Sequence, residues 1–155
     1  MHTSLPRIAL MLAFGLLGAT GCAEKTTTAK KPSPARVEAI DGSTIKRVVL
    51  EPKAVERLDI KTDKVRVATP EEMAGIVPAG QGGRTVVPFD AVLYDNTGAT
   101  FAYTVPKPLE YLRQPITVEG IRNKVAVLTA GPPPETVVVT VGSVLLYGAE
   151  TGVGK

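Results

Sequence analysis

Residues Glu135–Lys155 read ETVVVTVGSVLLYGAETGVGK, and their opening run Val137, Val138, Val139 and Val141 is the densest cluster of β-branched residues beyond the first 21 positions. A short apolar run closed by Gly142 fits a strand covered on both faces, which belongs inside a sheet and not at its edge. The remaining chain reads as β-structure assembled around that strand. Residues 148–155 read as a C-terminal tail.

Working back toward the N-terminus, turn signals divide the chain into short strands. Val37–Ile40 and Thr44–Leu50 flank Asp41-Gly42, a dipeptide that favours a hairpin. Pro52 at a first helical position, followed by Ala54, Val55 and Leu58, predicts one short helix over Pro52–Leu58 with Lys53, Glu56 and Arg57 exposed. Ile60–Ala68 alternates again, with Ile60, Thr62, Val65 and Val67 as inward positions. The phase slips between Thr62 and Val65, which predicts a bulge or register break. Thr69–Arg84 is rich in Gly and Pro and reads as a crossing loop with one short strand at Met73–Val77.

Thr85–Leu93 and Thr100–Val105 straddle Tyr94-Asp95-Asn96-Thr97-Gly98, whose Asn and Gly suit a hairpin loop. Phe101, Tyr103 and Val105 alternate with Ala102 and Thr104, so one face of this hairpin is expected to be core. After Pro106-Lys107-Pro108, Tyr111–Glu119 and Lys124–Leu128 are joined through Gly120–Asn123. Short strands at this spacing predict a mainly β domain, a small barrel or sandwich with one short helix, over residues 37–147.

Composition narrows the function. The chain has 155 residues, with 18 Lys and Arg against 15 Asp and Glu. Arg7 is the one charged residue of positions 1–21, so the remainder carries 17 minus 15, or +2. That charge is too small and too scattered to point to nucleic acid. Trp is absent and aromatics are 5%, which leaves aliphatic residues to fill the core.

The N-terminus has the three-part order of a secretory signal: Arg7 in a polar start, an apolar segment Ile8–Leu17, then Gly18, Ala19, Thr20 and Gly21 before Cys22. About ten apolar residues are too few for the roughly 20 of a membrane-spanning helix. The tract Leu17–Cys22 resembles a bacterial lipobox, with Ala19 where such motifs usually carry Leu. Cys22 is the single cysteine and has no disulfide partner, so residues 1–21 are expected to be removed and Cys22 acylated, making membrane lipid a partner through that residue. Ala23 follows, where the retention signal for an inner membrane carries an acidic residue, so either membrane fits. Residues 22–36, including EKTTTAKKPSPAR, hold no aliphatic side chain larger than Ala after the cysteine and read as a flexible tether.

Three stretches in order resemble the membrane-proximal domain of periplasmic adaptor proteins, the membrane fusion proteins of efflux pumps. They are Ile45–Val65, IKRVVLEPKAVERLDIKTDKV; Val86–Val105, VVPFDAVLYDNTGATFAYTV; and the segments TVEG, KVAVL and ETVVVTVGSVLLYGAE within Ile116–Glu150. The interval Arg66–Arg84 is too short to hold the lipoyl-like domain and helical hairpin of a complete adaptor, and Thr129–Glu135 replaces the family's usual turn before the last strand. The resemblance implies a lipid-anchored envelope component that docks on a membrane transporter or its adaptor and is not an enzyme. Tyr94, Asp95, Asn96 and Gly98 at the hairpin tip, with Leu145, Tyr147 and Glu150, are the contact residues expected in that reading. The alternative is a stand-alone lipoprotein that shares the fold and binds a ligand or another protein.

Residues that would carry chemistry are few. His2, the single histidine, lies in the expected signal, so neither general-base histidine nor zinc or copper binding is expected, and no cofactor is predicted. Met73 alone in a loop reads as filler. The tail GAETGVGK resembles a phosphate loop but has Ala149 where a glycine is needed and no Ser or Thr after Lys155. Asp59 with Asp63, and Asp90 with Asp95, read as turn formers.

Overall fold

The computed structural model describes residues 33–152. The expected signal segment, Cys22 and the tether up to residue 32 lie outside the described residues, as do residues 153–155. The domain is mainly β, with two open antiparallel sheets and no closed barrel.

The first strands are β1 (Ala35–Ala39), β2 (Lys46–Leu50), β3 (Lys61–Lys64), β4 (Arg66–Val67), β5 (Thr85–Pro88) and β6 (Leu93–Tyr94). The later ones are β7 (Thr100–Lys107), β8 (Glu110–Pro115), β9 (Thr117–Arg122), β10 (Val125–Ala130) and β11 (Val137–Val141). Three α-helices accompany them: α1 (Pro52–Arg57), α2 (Pro70–Met73) and α3 (Ser143–Thr151). One sheet has the order β1-β2-β8-β7-β11-β3, with β6 paired to the start of β7; the other has the order β4-β5-β10-β9.

Strand alternation explains the layering. On β11, Val138 and Val139 are both fully buried, yet Val138 joins Ala102, Val87, Ala126 and Leu128 between the sheets, while Val139 joins Val48, Phe101, Tyr103 and Leu146 on the far side. The large sheet therefore has two covered faces, one packed on the small sheet and one on α1 and α3. The small sheet repeats the device: Val87 faces the large sheet, and Val86 and Val127 face Met73, Ile76 and Val77. The layers run helices, sheet, sheet, helical segment. β11 does lie inside a sheet, between β7 and β3, as its apolar run requires.

Several local expectations are corrected. The break predicted before Val65 is a change of sheet. β3 ends at Lys64 on the large sheet and β4 starts at Arg66 on the small one, with Val65 buried between them and hydrogen-bonded to Thr136 and Glu135. Thr62 and Val67 are exposed, because each sits on an edge strand. The hairpin that carries Tyr94–Gly98 is Leu93–Tyr94 against Thr100–Phe101, and Thr85–Pro88 belongs to the other sheet. Both faces of β7 are core, since it is the strand that runs through the middle of the large sheet. Gly120 lies inside β9, where Ile76 would collide with any Cβ; the turn is Asn123-Lys124, both at positive φ, as a tight hairpin demands.

α1 is present where the Pro52–Leu58 pattern places it. Its end is a Schellman motif: Asp59 N–H donates to Glu56 O and Ile60 N–H to Val55 O, with Asp59 at φ 47°. The strand expected at Met73–Val77 is absent, and α2 ends on its first residue, Met73. Thr69 Oγ1 accepts from Glu72 N–H, the Glu72 carboxylate accepts from Thr69 N–H, and Pro70 occupies the first turn, a complete capping box. Residues 143–151, expected as strand end and tail, form α3. Gly142 at φ 88° turns the chain from β11 into the helix, and Gly152 at φ 78° ends it.

Two predictions follow from these junctions. Gly142→Ala forces a left-handed backbone on alanine and pushes its methyl into Ile60 Cδ1, so it should cost about 2 kcal/mol in urea unfolding, and less in an Ile60→Val background that lacks that methyl. An equal penalty in both backgrounds would remove the steric part of the account. Arg66 Nη1 and Nη2 donate to Glu72 at 2.8 and 2.5 Å and, against the desolvation that opposes them, pull its carboxyl down to about 2. A carboxyl lowered by folding stabilises the native state above its ordinary value of 4.5 and loses that contribution as pH falls toward 2. Acid titration of stability should be steeper in that window for the wild type than for Glu72→Gln.

Candidate functional site

The described surface offers an apolar groove and the β6–β7 hairpin tip, with a buried ion pair under α3. The groove has a volume of about 430 Å³ and lies between α1, α3 and the start of the domain. Leu50 and Ala54 are its buried floor, Leu58 and Leu145 line it further out, and Pro34 stands at its rim. Arg57 is the one charged residue that lines it. Val144 is 67% exposed and Leu145 52% exposed, so consecutive large aliphatics at the start of α3 face water. Isolated exposed leucines are ordinary, whereas a pair beside an apolar groove forms a patch.

Under α3 a tyrosine, an arginine and a glutamate meet, with Arg113 Nε left without a hydrogen-bond partner. Register places Arg113 of β8 opposite Tyr103 of β7, on the face that carries the helix. Glu150, 4% exposed, accepts a short hydrogen bond from the Tyr103 hydroxyl and an ion pair from Arg113 Nη2 at 3.2 Å. The Arg113 guanidinium lies 5.3 Å from the Phe101 ring centre and 5.9 Å from that of Tyr147, and the two rings are 5.2 Å apart. These faces compensate the cation for lost hydration. Burial, then the hydrogen bond to Glu150, pushes the Tyr103 hydroxyl well above its ordinary value.

At the tip, Asp95 Oδ1 accepts from Thr97 N–H at 2.8 Å, from the Thr97 hydroxyl at 2.6 Å and from Ala99 N–H at 2.9 Å. Those bonds, with a further contribution from Arg113, hold its carboxyl below the usual range. Gly98 supplies the positive φ that closes the loop, at 85°. Tyr94, Asn96 and Gly98 are exposed, and Tyr94 is the large apolar surface of the tip.

The residues expected from sequence as contacts therefore divide. Tyr94, Asn96 and Gly98 are accessible, Asp95 is tied into its own loop, and Leu145 borders the groove. Tyr147 is half-buried on Phe101. Glu150 is not a surface contact; its carboxylate is held inside by Tyr103 and Arg113. Arg113 escaped the sequence reading, yet it lines a cavity of about 190 Å³ together with Asp95 while holding Glu150, and so links tip and helix. An arginine at an expected strand position, within a stretch read for its apolar alternation, was the available signal. Among the described residues no group of three or more His, Cys, Asp or Glu could hold a metal ion, and no helix is long and apolar enough to cross a membrane.

Compared with known proteins, the chain matches no family model, no curated protein and no solved structure.

Removing Glu150 should expose how much α3 depends on this pair. Glu150→Ala leaves Arg113 without its partner beneath the helix and should cost about 3 kcal/mol. Tyr103→Phe, which deletes one hydrogen bond to a charged group, should cost about 1.5 kcal/mol. Urea unfolding of both variants gives the order, and a larger loss for Tyr103→Phe would contradict it.

Proposed function

We propose that this chain is a non-enzymatic, lipid-anchored envelope protein, an adaptor-like accessory component that docks on a membrane efflux transporter. The order of parts carries the reading: a signal-like segment, the lone Cys22 behind small residues, a Thr- and Pro-rich stretch, and then one β-rich domain. Two or three acyl chains on Cys22 hold the protein to a bilayer far more firmly than one. Docking on a transporter rests on the three adaptor-like stretches. In this reading the hairpin tip makes the protein contact through Tyr94, a side-chain type that contributes heavily to interfaces.

The test has two arms. Intact mass of the purified chain should show acylation at Cys22, and Cys22→Ala should move the protein from the membrane fraction to the soluble one. Purification from mild detergent should bring down an integral membrane transporter with the wild type and much less of it with Tyr94→Asp. An unacylated Cys22 in membrane-bound protein would overturn the anchor, and capture of no transporter by an acylated chain would overturn the docking.

A further inference from the structure

The α1–α3 groove is open, apolar and lined in part by Pro34, the second of the described residues. Eleven residues separate Cys22 from Pro34, which limits the distance between them to about 40 Å. An acyl group on Cys22 thus keeps the groove within reach of lipid whatever else the domain binds.

By sequence, the stretch that leads up to Pro34 and the helix α1 together carry more cations than anions. Residues 23–36 contain Lys25, Lys30, Lys31 and Arg36 against Glu24, and α1 exposes Lys53 and Arg57 against Glu56. With Glu51 at the α1 N-cap the sum is six cations and three anions. The nearby Glu38 lies 3.6 Å from Arg47 in an ion pair. Exposed aliphatics on a domain whose leading sequence is rich in Lys match the boundary between acyl chains and anionic headgroups.

We propose that this groove is the face with which the domain rests on an anionic lipid bilayer. Val144 and Leu145 enter the headgroup layer, and Lys53 and Arg57 meet lipid phosphates. The proposal builds on the membrane-anchoring reading and leaves the hairpin tip free for a protein partner. A bilayer suits the site better than a small molecule, because a ligand pocket orients its ligand with several convergent polar groups and Arg57 is the single charged residue here.

An environment-sensitive fluorophore on Leu145→Cys in the acylated full chain, reconstituted into phosphatidylethanolamine vesicles containing phosphatidylglycerol, reads the contact directly. Emission from position 145 should shift to the blue and resist quenching by aqueous iodide. A probe on Ile121→Cys, on the edge strand of the other sheet and also exposed, should do neither. High salt or replacement of phosphatidylglycerol by phosphatidylcholine should weaken the shift.

The same probe in a Cys22→Ser chain titrated with those vesicles separates the two readings. Shielding of position 145 without any acyl group supports the bilayer face even where intact mass shows the native Cys22 unacylated and the anchor reading fails. An acylated chain whose position 145 stays open to iodide overturns the bilayer face alone. Shielding that arises only when envelope protein is added also overturns it, in favour of a protein occupant. Val144→Asp, at a site exposed enough to leave folding unchanged as checked by thermal melting, should weaken vesicle binding of the Cys22→Ser chain about tenfold.

Discussion

Val138 and Val139 are neighbours in sequence, point to opposite sides of one sheet, and neither touches water. Each buried valine contributes about 1.5–3 kcal/mol only if something covers it. The large sheet must therefore be clothed twice, and the remaining architecture meets that demand. The small sheet supplies one cover through Val87, Ala126 and Leu128, and α1 with α3 supplies the other through Ala54 and Leu146. A barrel would have removed the sheet edges, but both sheets stay open, with exposed β3 as an edge of one and exposed β4 as an edge of the other.

The second cover brings a polar cost. α3 lies across a face that already holds Tyr103 and Arg113, so the helix needs an anion at the point of contact, and Glu150 provides it. A buried ion pair is a poor source of net stability, since desolvation consumes most of the attraction. What it supplies is position. Only one rotation of α3 brings Glu150 to Arg113 while Leu146 enters the core, and that rotation leaves Val144 and Leu145 outside. The exposed apolar edge of the groove is thus a consequence of how the helix is held, and it gives the domain a face unlike its others.

Much of this was legible in the chain. The β-branched run from Val137 announced a strand buried on both sides, because continuous apolarity has no other use in so short a segment. Pro52 with Ala54, Val55 and Leu58 announced α1, and the slipped phase before Val65 announced an irregularity whose nature, a passage from one sheet to the other, depended on where the partners Thr136 and Glu135 lay. The sequence Thr69-Pro70-Glu71-Glu72 held a capping box that the surrounding Gly and Pro obscured.

Local chemistry therefore announced the Asp41-Gly42 hairpin and the start of α1 at Pro52, since those preferences act over a few neighbouring residues, while strand pairing beyond them did not follow from it. The apolar pattern along single strands placed Val138 and Val139 inside, but not Val67, which the edge position of its strand leaves exposed. Tertiary structure alone decided that Ser143–Thr151 coils into a helix, a segment too short to hold helical form without a packed face. It also decided that Glu150 is a buried partner and not a contact, because Tyr103 and Arg113 are 47 and 37 positions away in the chain and meet it only when two strands and a helix close on one another.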